Sequence, residues 1–213
     1  MRTVHLATIA GAIAAVLLSE PASANRAAAQ LTVRTYDSFG VPQAAMDEAR
    51  RAAGSILMAA GIEIRWRDCR RLERLPLLSA CDHPLAPFEV VVRIIASGPR
   101  TLARSLGDSM VDLQEKQGSL ATVYADRVEG MATLARIEPG TLLGRAVAHE
   151  IGHLIFGSTA HASRGLMRAC WSSRELQRSV AADWAFSRQE GAAARRQLAA
   201  RAKLDEVKAV RSN

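Results

Sequence analysis

Cysteine is scarce, three residues in 213, and a chain of this length buries a hydrophobic core without depending on disulfides. Aromatic residues make up only 4%, and none falls in the basic stretch 188–213, so that stretch offers no stacking platform for nucleic-acid bases. Beyond Leu18 no run is long and apolar enough to span a bilayer, which excludes a later membrane anchor. There is no internal repeat and no domain-scale linker, which leaves one domain as the expectation. What is present is an ordinary globular balance, 49% hydrophobic and 23% charged with a formal charge of +7.

The longest apolar run, Leu6 to Leu18 (LATIAGAIAAVLL), follows Arg2 and is closed by Glu20 and Pro21, too soon for the roughly 20 residues of a transmembrane helix. Ala22-Ser23-Ala24 supplies a small-x-small cleavage pattern, so residues 1–24 read as a secretory signal peptide. Asn25, not cysteine, follows the cut, so no lipid anchor is indicated, and the expected product is a periplasmic or secreted soluble protein. Outside the cytosol disulfides persist. Cys69 and Cys81 bracket a short irregular segment rich in Arg and Pro and are the preferred pair, which leaves Cys170 over. At the other end, residues 188–213 carry seven basic side chains against three acidic ones and read as a basic, Ala-rich helical tail. With acids interleaved and no aromatics, nucleic acid is not an expected partner.

Between these ends, Leu31–Tyr36 alternates apolar and polar residues and predicts a first strand; a helix follows over about Pro42–Ala60, stopped by Gly61. Ile62, Ile64 and Trp66 predict a second strand, the nearly continuous apolar run Phe88–Ile95 a central one, and Leu120–Tyr124 a short fourth. From Ala96 to Gly118 the pattern weakens. A second helix is expected from near Pro139 to about Phe156, ended by Gly157, and a third after Ser172, continuing past Trp184, with Ser172 and Glu175 spaced as a capping box. This order predicts an α+β fold, a small mixed twisted sheet packed with the His-bearing helix and a C-terminal helix.

Three of the five histidines fall between positions 149 and 161. His149-Glu150-Ile151-Gly152-His153 puts two imidazoles at i and i+4 on one helix face, close enough to share a metal ion. Glu150, one position on, lies beside such an ion, where a carboxylate can act as general base. Val147, Ala148, Ile151, Leu154 and Ile155 make the helix a core element, so its polar side chains must be satisfied there. A catalytic zinc takes three protein ligands and keeps a fourth position open. His161, brought back by a turn after Gly157, is the leading candidate; Glu175 and Asp183 compete for the same role, as in gluzincins and aspzincins respectively.

HEIGHLIFGSTAH followed by RGLM resembles the metzincin zinc endopeptidases. The resemblance covers about Gly144 to Trp171 and implies one catalytic zinc held by His149, His153 and His161, with Glu150 as base. Met167 would be the methionine of the turn beneath the ligands. The spacing departs from the family pattern: H-E-x-x-H-x-x-x-G-x-x-x-H carries two extra residues, so this chain falls in none of the matrixin, astacin or adamalysin patterns. The resemblance implies a metzincin-like metalloprotease domain over 25–187, hydrolysing peptide bonds of a protein or peptide substrate by a zinc-activated water. If Leu120–Tyr124 is the sheet edge, an extended substrate could pair with it, and Tyr124 could assist the oxyanion. No propeptide cysteine precedes the first strand. The competing expectation is a catalytically silent exported domain that binds a metal or a partner, for which the acid beside an open coordination position has no use.

Overall fold

A computed structural model describes residues 28–69, 80–102, 104–178 and 180–211, without the side chains of 204–211. The expected signal peptide over 1–24, with its cleavage near Ala24, lies outside the described residues, as does most of the segment between Cys69 and Cys81. Strand β1 (Ala29–Asp37) buries Leu31 and Val33 completely. Helix α1 (Gln43–Ala59) turns Met46, Ala49, Ala53 and Leu57 inward at the helical period, and Gly61, at φ 77°, leads into β2 (Ile62–Asp68). The later strands are β3 (Glu89–Ile95), β4 (Gly107–Asp112) and β5 (Gln117–Tyr124). After them come α2 (Ala125–Ala135), α3 (Pro139–Phe156), α4 (Ser173–Gln177) and α5 (Arg188–Arg211).

The α+β expectation holds. The sheet has five strands in the order β2-β1-β3-β5-β4, parallel except for β4, which runs antiparallel to β5. β3 is central, as its apolar run required, although Arg93 is exposed on its outer face. Leu120–Tyr124 is not the edge. It belongs to β5, enclosed between β3 and β4; the edges are β2 and, on this side, β4, inside the stretch whose pattern is weak. The reason is compositional: GDSMVD combines Gly and Asp, both depleted in strands, with an exposed Met110, so no apolar alternation marks it. Helix α2 also lacked a signal, because it starts directly after β5 and buries small residues, Ala125, Ala132 and Ala135, beside Val128.

The expected single helix after Ser172 is broken. α4 ends at Gln177, Ala181–Trp184 forms one 3-10 turn, and α5 begins only at Arg188. The break lets Trp184 turn inward, 5% exposed, where the Arg145 guanidinium stacks 3.8 Å above its ring. The first half of α5 packs through Ala194 and Leu198, and two of its arginines serve backbone carbonyls: Arg195 donates to Ala60 and Arg201 to Leu154. No helix among the described residues is long and apolar enough to cross a membrane.

Cys69 and Cys81 are joined by a disulfide, and the chain beyond it is held onto β1. Arg34, 3% exposed, donates to the carbonyls of Cys81, His83 and Pro84 and pairs with the buried Glu89. Arg67 takes the other Glu89 oxygen at 2.7 Å, and the Tyr36 hydroxyl donates to the Cys81 carbonyl. Cys170 is a free, exposed thiol.

Candidate metal centre

Helix α3 matches the bounds expected from Pro139 and Gly157, and fifteen of its eighteen residues are buried, so every polar side chain on it needs a partner. Gly157 closes it in the left-handed conformation, φ 60° and ψ 40°, with its N–H on the His153 carbonyl. Only glycine fits here: a β-carbon would stand 1.8 Å from the carbonyl carbon of Lys116 in the β4–β5 turn. The chain then folds back through Ser158 to bring His161 against the helix.

The three imidazoles converge. Their ring centroids lie 4.7 Å apart for His149–His153, 5.3 Å for His149–His161 and 4.9 Å for His153–His161. One ligand nitrogen from each ring lies within 4.8 Å of the others, and among the described residues this is the cluster able to hold a metal ion. His149 and His153 are buried; His161 is exposed and closes the cluster from the solvent side.

The hydrogen bonds decide what this cluster can take. His149 Nδ1 is 2.9 Å from the Leu166 carbonyl, and His153 Nδ1 is 2.7 Å from that of Ser158. A carbonyl only accepts, so each Nδ1 carries the proton and each Nε2 of the neutral ring presents a lone pair. These Nε2 atoms face one another at 3.0 Å. Burial pushes His149 down to about 4, helped by the neighbouring imidazoles and opposed by the Leu166 carbonyl. Burial likewise lowers His153. With an imidazolium disfavoured, two lone pairs are left pointing at each other, an arrangement that a cation relieves. Three imidazole donors match the ligand preference of zinc.

The turn Gly165-Leu166-Met167 sits directly beneath. Ala162 N–H donates to the Met167 carbonyl at 2.7 Å, Leu166 N–H to the Ala185 carbonyl, and Gly165 takes φ 77°. Leu166 thereby offers its carbonyl to His149, while Met167, 2% exposed, packs its sulfur against Gly152, the residue before His153. Trp171 meets both His149, at 5.6 Å, and Trp184, at 5.3 Å, in edge-to-face contacts.

The Glu150 side chain reaches β4. Ser109 Oγ lies 2.6 Å from Glu150 Oε2 and 3.0 Å from the Glu150 carbonyl. Burial raises the Glu150 carboxyl to about 7; the Ser109 hydroxyl works against this and the charge of Asp108 adds to it. Asp108 in turn accepts from the Tyr124 hydroxyl. Tyr124 is 1% exposed, with the Arg127 guanidinium 4.4 Å over its ring, so it is a packed residue and not a free hydroxyl at the cleft.

The structure does not bring Glu175 or Asp183 into the cluster. Glu175 completes the capping box with Ser172 and pairs with Arg168. Asp183 lies 3.7 Å from Arg178. Ser109, Asp108 and Trp171 were not anticipated as neighbours of the site. Ser109 and Asp108 lie on the strand without an apolar period, and Trp171 follows the turn with no spacing that points to a histidine.

The chain matches no known protein family's sequence profile and no curated protein. Its fold is similar to the crystal structure of archaemetzincin from Methanopyrus kandleri, with a TM-score of 0.50 over 83% of this chain and 98% of that one. At 16% identity the likeness is one of fold.

Proposed function

We propose that this chain is an exported zinc-dependent endopeptidase. The observation that carries the reading is the pair of buried Nε2 lone pairs facing at 3.0 Å, with a third imidazole beside them and a glutamate on the adjacent helix position. His149, His153 and His161 would hold one zinc ion. When bound, the ion supplies a Lewis acid that polarises a scissile carbonyl and acidifies the attacking water.

The chain's own residues do the rest. The Leu166 and Ser158 carbonyls keep the Nδ1 protons in place, so that both Nε2 atoms remain donors to the ion. Glu150 takes the proton of the attacking water on its carboxylate and passes it to the leaving amine nitrogen. An extended peptide adds to the free side of β4, which pairs only with β5 among the described strands. Export is supported by the disulfide and by the sequence of residues 1–24.

The test is a comparison of three proteins on a diverse peptide library, with zinc content measured in each. Glu150→Gln is expected to keep zinc and lose hydrolysis, and His161→Ala to lose most of the zinc. Full zinc and no cleavage in the unmodified chain would favour the silent metal-binding domain instead.

A further inference from the structure

We propose that Ser109 is the positioning residue of the Glu150 carboxylate, so that the edge strand β4 aims the base that helix α3 carries. Its catalytic consequence rests on the hydrolase reading above; its geometry does not.

Helix α3 fixes where the Glu150 backbone lies but not where its carboxylate points, because three side-chain torsions separate the two. In a buried position the carboxylate goes where a donor is. The Ser109 hydroxyl has one proton and two acceptors in reach, Oε2 at 2.6 Å and the Glu150 carbonyl at 3.0 Å. The shorter distance and the charge direct that proton to Oε2. Oε1 lies over Gly107, two residues back on the same face of β4, where a β-carbon would stand 3.0 Å from it and from Cγ. One oxygen is therefore tied by Ser109, and the other has room because Gly107 lacks a side chain. This leaves Oε1 as the proton-transferring oxygen. Because β4 is also the edge along which an extended peptide would lie, the same strand aligns the substrate and the base.

The test compares Ser109→Thr with Ser109→Val, nearly identical in shape and differing in the hydroxyl, with Ser109→Ala as a third variant should either β-branched residue fail to fold. Val and Ala are expected to bind zinc with unchanged affinity and to lose kcat by roughly 10- to 100-fold with little change in KM, as a misaimed catalytic group does, while Thr retains most of the rate. A second readout needs neither zinc nor activity: the infrared carboxylate band of Glu150, identified by subtracting the Glu150→Gln spectrum from that of the metal-free protein at alkaline pH. That band is expected to shift in Val and Ala and not in Thr. Unchanged kcat without the hydroxyl, or an unmoved band, overturns the proposal. If the unmodified chain cleaves no peptide, the hydrolase reading has failed, and the infrared comparison alone decides whether Ser109 holds the carboxylate.

Discussion

Gly152 and Met167 are packed so closely that a β-carbon on the glycine would stand 2.7 Å from the methionine sulfur. The contact lies between the two histidines of α3, so the sulfur sets the height of the helix over the turn that also supplies the Leu166 carbonyl. Gly152→Ala is expected to push the helix off that turn and weaken zinc binding by about 10- to 100-fold, measured by competition with a chromophoric chelator. Met167→Leu, which keeps the volume, should cost less than about 1.5 kcal/mol in a denaturation experiment.

Zinc binding to the folded chain should raise its stability by about 2.7 kcal/mol at a free concentration one hundred times the dissociation constant. For a domain of this size that corresponds to roughly 5–10 °C in Tm. Chelation should reverse the shift, and His161→Ala should show little of it at the same zinc concentration. Thermal scans with and without chelator check both.

Glu89 supplies a pH dependence away from the metal centre. Burial pushes its carboxyl up, but hydrogen bonds from Arg34 and the Ala86 N–H, with the charges of Arg34 and Arg67, outweigh that and hold it below 4.5. A carboxylate depressed in the folded state stabilises above its unfolded pKa and loses that contribution as pH falls through the folded value. Stability of the metal-free protein should therefore drop as pH falls below about 4.5, with a slope that Glu89→Gln reduces. At neutral pH the same substitution removes the anion beside the buried Arg34, which keeps its carbonyl acceptors, and should cost roughly 3 kcal/mol, read from urea titrations.

Gly157→Ala cannot be absorbed locally, because the left-handed backbone and the 1.8 Å approach to Lys116 act together. A loss of more than about 2 kcal/mol is expected in urea denaturation, with reduced zinc affinity because the chain from Gly157 carries His161.

The disulfide and the free thiol are separable by counting. One thiol, Cys170, should react before reduction and three after it. Reduction should lower stability by about 2–3 kcal/mol, as expected for so short a loop.

The segments readable from the chain were those where one local rule dominates. The α3 boundaries follow from Pro139, whose fixed φ and missing N–H suit the first turn, and Gly157, which takes the left-handed stop without strain. α1 and β3 were readable because their apolar residues recur at one period or run without interruption. β4 was not, since Gly107–Asp112 shows no apolar alternation and leaves Met110 exposed. The helix expected after Ser172 failed because propensity continues through residues whose path is set by the burial of Trp184.

By itself the sequence determined the two helical imidazoles and the acid next to them, because helical periodicity converts a spacing of four residues into a shared face. Only tertiary structure could decide that His161 joins them while Glu175 and Asp183 stay apart, and that Ser109 meets Glu150 across 41 positions. Those relationships depend on loop path and strand order, which are set by the packing of the whole core and leave no periodic trace along the chain.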